Sequence, residues 1–216
     1  MGKLKVGILI SGRGSNMQAL IDSCRSPDAP AEIALVLSNE PTAAGLRRAA
    51  EAGIPTRVVH HRDFADRAAF DAALHRALVE AGVEFVCLAG FMRLLTNDFV
   101  ERWRDRMINI HPSLLPAFPG LNTHARALAA GVRFTGCTVH FVRSEMDTGP
   151  IIAQAAVPIR PEDNADSLAA RVLEAEHRIY PYALRLVAEG RVTIVGERAI
   201  VAGAEAPGET LFNPVP

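Results

Sequence analysis

Apolar and polar positions follow two different periods along this chain. Short runs of nearly continuous apolar character, "KLKVGILI" (3–10), "EIALVLS" (32–38), "PTRVVH" (55–60), "EFVCLAG" (84–90) and "MINIH" (107–111), read as strands, and the stretches between them carry helical spacing. Met17, Leu20, Ile21 and Cys24 recur at i, i+3, i+4 and i+7, which predicts a helix from Asn16. Phe70, Ala73, Leu74, Ala77 and Leu78 do the same in a helix from Arg67 that Gly82 would close. A further helix is expected through "AAGLRRAAEAG" (43–53) and a short one between "EFVCLAG" and "MINIH".

Strands alternating with helices predict an α/β fold, a mostly parallel twisted sheet with helices on both faces. After "THARALAAG" (123–131) the pattern changes. "GCTVHFV" (136–142) and "IIAQAAVPI" (151–159), joined by "RSEMDTGP", read as an antiparallel strand pair near the carboxyl-terminal part. A long helix, 164–190, follows, and Pro181 should kink or interrupt it because proline lacks the amide donor and crowds the preceding turn. The residues from 202 on, "AGAEAPGETLFNPVP", are rich in Pro and Gly. They predict an irregular tail, 201–216, behind one catalytic domain, 1–200.

Composition narrows the partners. A chain of 216 residues with a formal net charge of -1 presents no global field for nucleic acid. Cys24, Cys87 and Cys137 are odd in number and contain no CxxC, which argues against a disulfide framework and for a reducing cytoplasm. "VGILI" is too short for a membrane span, and Val6 stands where a myristoylation signal requires Ser or Thr. The seven histidines form no HExxH or comparable ligand spacing, so no metal is expected.

Three segments carry candidate chemistry. "SGRGSNMQAL" (11–20) places glycines, Ser15 and Asn16 at a helix start, where free amides and the positive end of the dipole attract an anion such as a phosphate monoester. Met17 occupies the position where a dinucleotide-binding turn needs a small residue, and no Lys-Ser or Lys-Thr ends the loop. A simple N-cap with permissive glycines accounts equally for the segment taken alone. In "NIHPSLLPAFPG" (109–120), Asn109 and His111 lie two apart at a strand's end, so they share a face where open α/β sheets bind ligands. The amide can donate to a developing oxyanion and the imidazole can move protons, although a structural histidine also fits. Asp147, in the loop joining the antiparallel pair, either bonds its own turn or, if near His111, favours the imidazolium. No G-x-S-x-G elbow or cysteine nucleophile lies in these segments, so direct group transfer is favoured over an acyl-enzyme.

Taken together, "SGRGSNMQALID", "LAGFMRLL", "INIHPSLLPAFPGLNTH", "GCTVHFVRSEMDTGPII" and "EAEHRIYP" resemble the folate-dependent phosphoribosylglycinamide formyltransferase family over nearly all the chain except the tail. The resemblance implies a Rossmann-like formyltransferase fold that moves the formyl group of 10-formyltetrahydrofolate to the amine of glycinamide ribonucleotide in purine synthesis, without metal, nucleic acid or membrane, and with a homodimer left open. It implies Asn109, His111 and Asp147 as catalytic residues. Gly14, Ser15 and Asn16 would hold the 5′-phosphate, and Glu176 the glycinamide portion. Arg67, Met92, Arg93, Leu94, Leu95 and Asn109 would face the folate. Ser144 and Ala117 depart from the family pattern, which commonly has an acidic residue and a lysine there. Methionyl-tRNA formyltransferase and formyltetrahydrofolate deformylase look similar around "HPSLLP". A nucleotide-binding dehydrogenase with Glu40 as ribose ligand, and a folate or phosphate sensor without turnover, are the remaining alternatives.

Overall fold

The computed structural model describes residues 2–214. Its elements follow the order β1 (Leu4–Ile10), α1 (Ser15–Ser23), β2 (Ala31–Ser38), α2 (Ala44–Glu51), β3 (Thr56–Val58), a 3-10 turn (His61–Asp63), α3 (Arg67–Glu80), β4 (Phe85–Leu88), α4 (Asn97–Arg102) and β5 (Met107–His111). Then come α5 (Thr123–Ala129), β6 (Phe134–Phe141), β7 (Ile151–Pro158), α6 (Ala165–Ala188), β8 (Val192–Val195) and β9 (Arg198–Val201). A seven-stranded sheet has the order β3-β2-β1-β4-β5-β6-β7, and β8 pairs with β9 in a separate ribbon. Pairing is parallel from β3 through β5 and antiparallel between β6 and β7. The fold is thus the α/β class that the alternating periods predict.

The chain groups into two compact units: residues to Asn109 with Phe141–Ser144, and Ile110–His140 with residues from Glu145 on. In the first, Leu9, Val86 and Leu88 from strands pack with Phe70, Leu74 and Leu78 of α3 and with Phe99 and Trp103 at α4. Each such side chain contributes about 1.5–3 kcal/mol through removal from water. Asp66 caps α3 by accepting from the Ala69 amide at 2.8 Å. Gly82, at φ 67°, closes it: the Gly82 and Val83 amides donate back to the carbonyls of Val79 and Leu78, a left-handed ending that L side chains resist. The strand order reverses direction at β1, and the glycine turn begins where β1 ends, the position at which open parallel sheets bind ligands.

In the second unit, α6 buries Leu168, Val172, Glu176, Ile179, Tyr180, Ala183 and Leu184 along one stripe. Contrary to the expectation from Pro181, the helix is not interrupted there. The missing amide costs one bond to the His177 carbonyl, and the buried Ile179, Tyr180, Ala183 and Leu184 hold both flanks in place. The β8–β9 hairpin was not anticipated, although "VTIV" and "RAIV" alternate around a two-residue Gly196–Glu197 turn, the ordinary hairpin signal. From Ala202 to Pro214 no helix or strand occurs. Among the described residues no helix is long and apolar enough to cross a membrane.

Candidate active site

His111 is the last residue of β5, and Pro112 ends the strand by withholding an amide. The imidazole is buried and both of its nitrogens face oxygen. Nδ1 lies 3.4 Å from Oδ2 of Asp147, and Nε2 lies 3.0 Å from the Phe118 carbonyl. A carbonyl and a carboxylate only accept, so both partners of the ring offer it acceptors, and Asp147 sets a negative charge beside Nδ1. Asp147 does not bond within its own turn. Its Oδ2 accepts from the Gly120 amide at 2.8 Å and its Oδ1 lies 3.9 Å from Nε2 of His140, with its side chain only 9% exposed. The expected convergence of His111 and Asp147 is therefore present. Asn109, two residues before His111 on the same strand, is half-buried.

The backbone around this pair is held in unusual conformations. Asp147 and Phe118 have φ of 57° and 53°, each a left-handed geometry that costs a non-glycine residue about 1 kcal/mol or more. The Phe118 carbonyl is thereby turned towards Nε2 of His111, where it also accepts from the Ser113 hydroxyl at 3.2 Å. Thr138 accepts from the Leu115 amide at 3.0 Å and donates to the Ser113 carbonyl at 2.7 Å, while Gln154 donates to the Leu115 carbonyl at 2.9 Å. Arg126 donates to the carbonyls of Pro119 and Leu121. The sequence does not show this scaffold of carbonyls, and it offered His140 only among the histidines weighed as metal ligands. Its one legible signal was Thr138 and His140 at strand alternation within β6.

His124 also belongs to this neighbourhood. Burial and the charge of nearby His111 both push its imidazole towards the neutral form. Glu176 is the one acid on the apolar stripe of α6, and it is buried. With burial, its charge helps push the Cys137 thiol up to about 12.

In the first unit, the turn after β1 is shaped by glycine on two sides. Gly14, at φ 73°, is the N-cap of α1 and brings no side-chain oxygen to the first-turn amides. A Cβ on Gly14 would lie 2.7 Å from the Cα of Gly45 in α2, and the Gly45 amide donates to the Gly12 carbonyl at 3.0 Å. Gly45 was not singled out in the sequence. Its partnership with the turn arises only when β1 and β2 pair. Met17 is fully buried beneath the turn, with its methyl 3.1 Å from that same Gly14 Cβ position, so the space a dinucleotide turn keeps open is filled. Glu40, the alternative ribose ligand, instead faces Nδ1 of His61 at 3.6 Å and Nδ2 of Asn39 at 3.4 Å.

The segment between β4 and α4 projects Met92, Arg93 and Leu94 into solvent, while Leu95 is partly buried against the core. Met92 is 69% and Leu94 59% exposed, an apolar surface open to solvent. Arg67 is exposed at the first position of α3, where its charge opposes the helix dipole.

Residues 4–184 match the formyl transferase family. The chain belongs to the formyl transferase family. A phosphoribosylglycinamide formyltransferase of Haemophilus influenzae is 44% identical over 97% of this chain and 99% of its own length. The trifunctional purine biosynthetic protein adenosine-3 of Gallus gallus is 54% identical over 89% of this chain, which spans about a fifth (19%) of that relative's length. The crystal structure of glycinamide ribonucleotide transformylase 1 from Symbiobacterium toebii superposes with a TM-score of 0.90 at 48% identity, covering 92% of this chain and 94% of the other. The formyl transferase match takes in the glycine turn, the exposed 92–95 segment, the His111–Asp147 pair and Glu176, and ends before the β8–β9 hairpin.

Proposed function

We propose that the chain transfers the formyl group of 10-formyltetrahydrofolate to the amine of glycinamide ribonucleotide, yielding formylglycinamide ribonucleotide and tetrahydrofolate in purine biosynthesis. The observation that carries this reading is the buried His111 imidazole, whose two nitrogens meet the Asp147 carboxylate and the Phe118 carbonyl at the end of the strand bearing Asn109. The ring's setting beside a buried carboxylate suits it to face a developing oxyanion.

The neutral amine attacks the formyl carbon, a C–N bond forms and the formyl oxygen takes up the electron pair. Asn109 donates a hydrogen bond from its amide to that oxygen, and His111 stabilises the oxygen's developing negative charge with its own positive charge. Asp147 keeps the ring protonated and oriented. Collapse breaks the bond from carbon to N10 of the folate; one proton leaves the attacking nitrogen and one reaches N10, relayed through water. No covalent enzyme intermediate is needed, and holding both reactants together supplies much of the rate.

The glycine turn of Gly14, Ser15 and Asn16 is assigned to the 5′-phosphate: an N-terminus of α1 without a side-chain cap offers its amides to an anion. Glu176 is assigned to the glycinamide amine. The apolar surface of Met92, Leu94 and Leu95, with Arg67 and Arg93 as nearby cations and Asn109, is assigned to the folate, whose ring is flat and whose tail is anionic. Thiols at Cys24, Cys87 and Cys137 suit a reducing compartment, and the cytoplasm is one.

Purified protein incubated with glycinamide ribonucleotide and formyl-folate should change folate absorbance with one folate released per amine formylated. His111→Ala should lower single-turnover transfer by roughly 10²–10⁴-fold. Near wild-type transfer in that variant would remove His111 from the mechanism.

A further inference from the structure

The exposed segment between β4 and α4 has no helix or strand of its own, and two polar side chains, the half-buried Ser11 and the buried Asp71, grip it at its backbone ends. At the first end Ser11 makes three bonds. Its amide donates to the Gly90 carbonyl at 3.1 Å, its hydroxyl donates to Oδ1 of Asn39 at 2.5 Å, and the hydroxyl oxygen accepts from the Met92 amide at 2.7 Å. Asn39 is buried and takes the only hydroxyl proton, so the lone pairs of Ser11 are left pointing at Met92. Asn39 is held in turn, its Nδ2 3.3 Å from Nδ1 of His61.

At the second end Oδ2 of Asp71, in α3, accepts from the Thr96 amide at 2.6 Å and from the Thr96 hydroxyl at 2.7 Å. That hydroxyl also accepts from the Phe99 amide at 3.4 Å as the N-cap of α4. Asp71 is 3% exposed, and burial pushes its carboxyl up despite the bonds from Thr96 and the charges of Arg67 and Arg93. Burying a carboxylate to fix one backbone amide is expensive. Between the grips, Phe91 and Leu95 pack inward while Met92, Arg93 and Leu94 stand in solvent. The bonds therefore fix a surface that the protein does not itself cover.

We propose that Ser11 and Asp71 are positioning residues that clamp the 92–95 segment at its two ends and thereby set affinity for the formyl-folate donor. This rests on the assignment of that segment to the folate. Neither residue touches the reacting atoms; both act by holding Met92 and Leu94 in place before the ligand arrives, so that ordering need not accompany binding.

Steady-state kinetics with both substrates, joined to amide hydrogen exchange, tests it. Ser11→Ala and Asp71→Ala should each raise KM for formyl-folate about 10-fold, the effect of one lost hydrogen bond that positions the segment, and should raise KM for glycinamide ribonucleotide much less. Asp71→Asn retains an oxygen acceptor for the Thr96 amide and should recover most of the loss. Without ligand, the Met92 amide should exchange faster in Ser11→Ala and the Thr96 amide faster in Asp71→Ala. Equal rises in both KM values, or unchanged exchange at those amides, would overturn the clamp while wild-type turnover left the formyl-transfer reading standing. A wild-type protein that did not turn over would instead remove the reading and the clamp with it.

Discussion

Cys137, in the middle of β6, is fully buried, and burial and the charge of Glu176 raise its thiol from 9.0 to about 12. In the unfolded chain the thiol ionises near its ordinary value; in the folded chain it does not. Unfolding therefore releases a proton above pH 9, and the stability present below that pH is lost as pH rises towards 12. The slope reaches about 1.4 kcal/mol per pH unit for this one group. Urea melts at pH 8 and pH 10.5 should show it, and Cys137→Ala should remove that slope even though the cavity lowers its stability at both values. Asp147 lends itself to a second test at this scale. Asp147→Asn keeps an oxygen for the Gly120 amide but deprives His111 of its counter-charge, so transfer should fall by roughly 10²-fold or more with the melting temperature little changed.

At the scale of one element, the start of α6 is a compact device. Asn164 accepts from the amides of Asp166 and Ser167, and Ser167 returns a bond to the Asn164 amide. Asp163 receives Arg171 on both oxygens at 2.6 Å, which holds its carboxyl well below the usual carboxylate range. Asn164→Ala should cost about 1 kcal/mol, and Asp163→Asn about 2 kcal/mol. The advantage of Asp163 is present above its unfolded value of 3.8 and fades as pH falls below that towards its folded value, so the wild-type and Asp163→Asn melting temperatures should draw together in acid. Much of the fold was legible because each element carried its period locally: the α3 stripe, its closing Gly82, and Asn109 and His111 on one strand face. What stayed hidden was tertiary. Nothing local in "AGLRR" marks Gly45 as the wall of the glycine turn, and nothing local turns the Phe118 carbonyl towards His111. Pro181 misled because a propensity for breaking helices was weighed without the buried side chains on either side of it.

For the molecule as a whole, the family match ends at residue 184; beyond β9, Arg191 donates to the Ala202 carbonyl, and further along Asn213 donates to the carbonyls of Arg133 and Ile159, at 2.6 and 3.0 Å, flanking the β6–β7 pair. Deleting residues 205–216 should leave formyl transfer intact and cost about 1–3 kcal/mol in urea unfolding, the worth of two such bonds. Because Gly14 and Gly45 meet backbone to backbone, the curvature of the phosphate turn is cast by a helix encoded well outside it. A mutational library confined to positions 11–17 would sample loops against an unyielding mould, and most of its members would be rejected by shape before any ligand was offered. Altered anion preference would have to be sought by varying position 45 and the turn together.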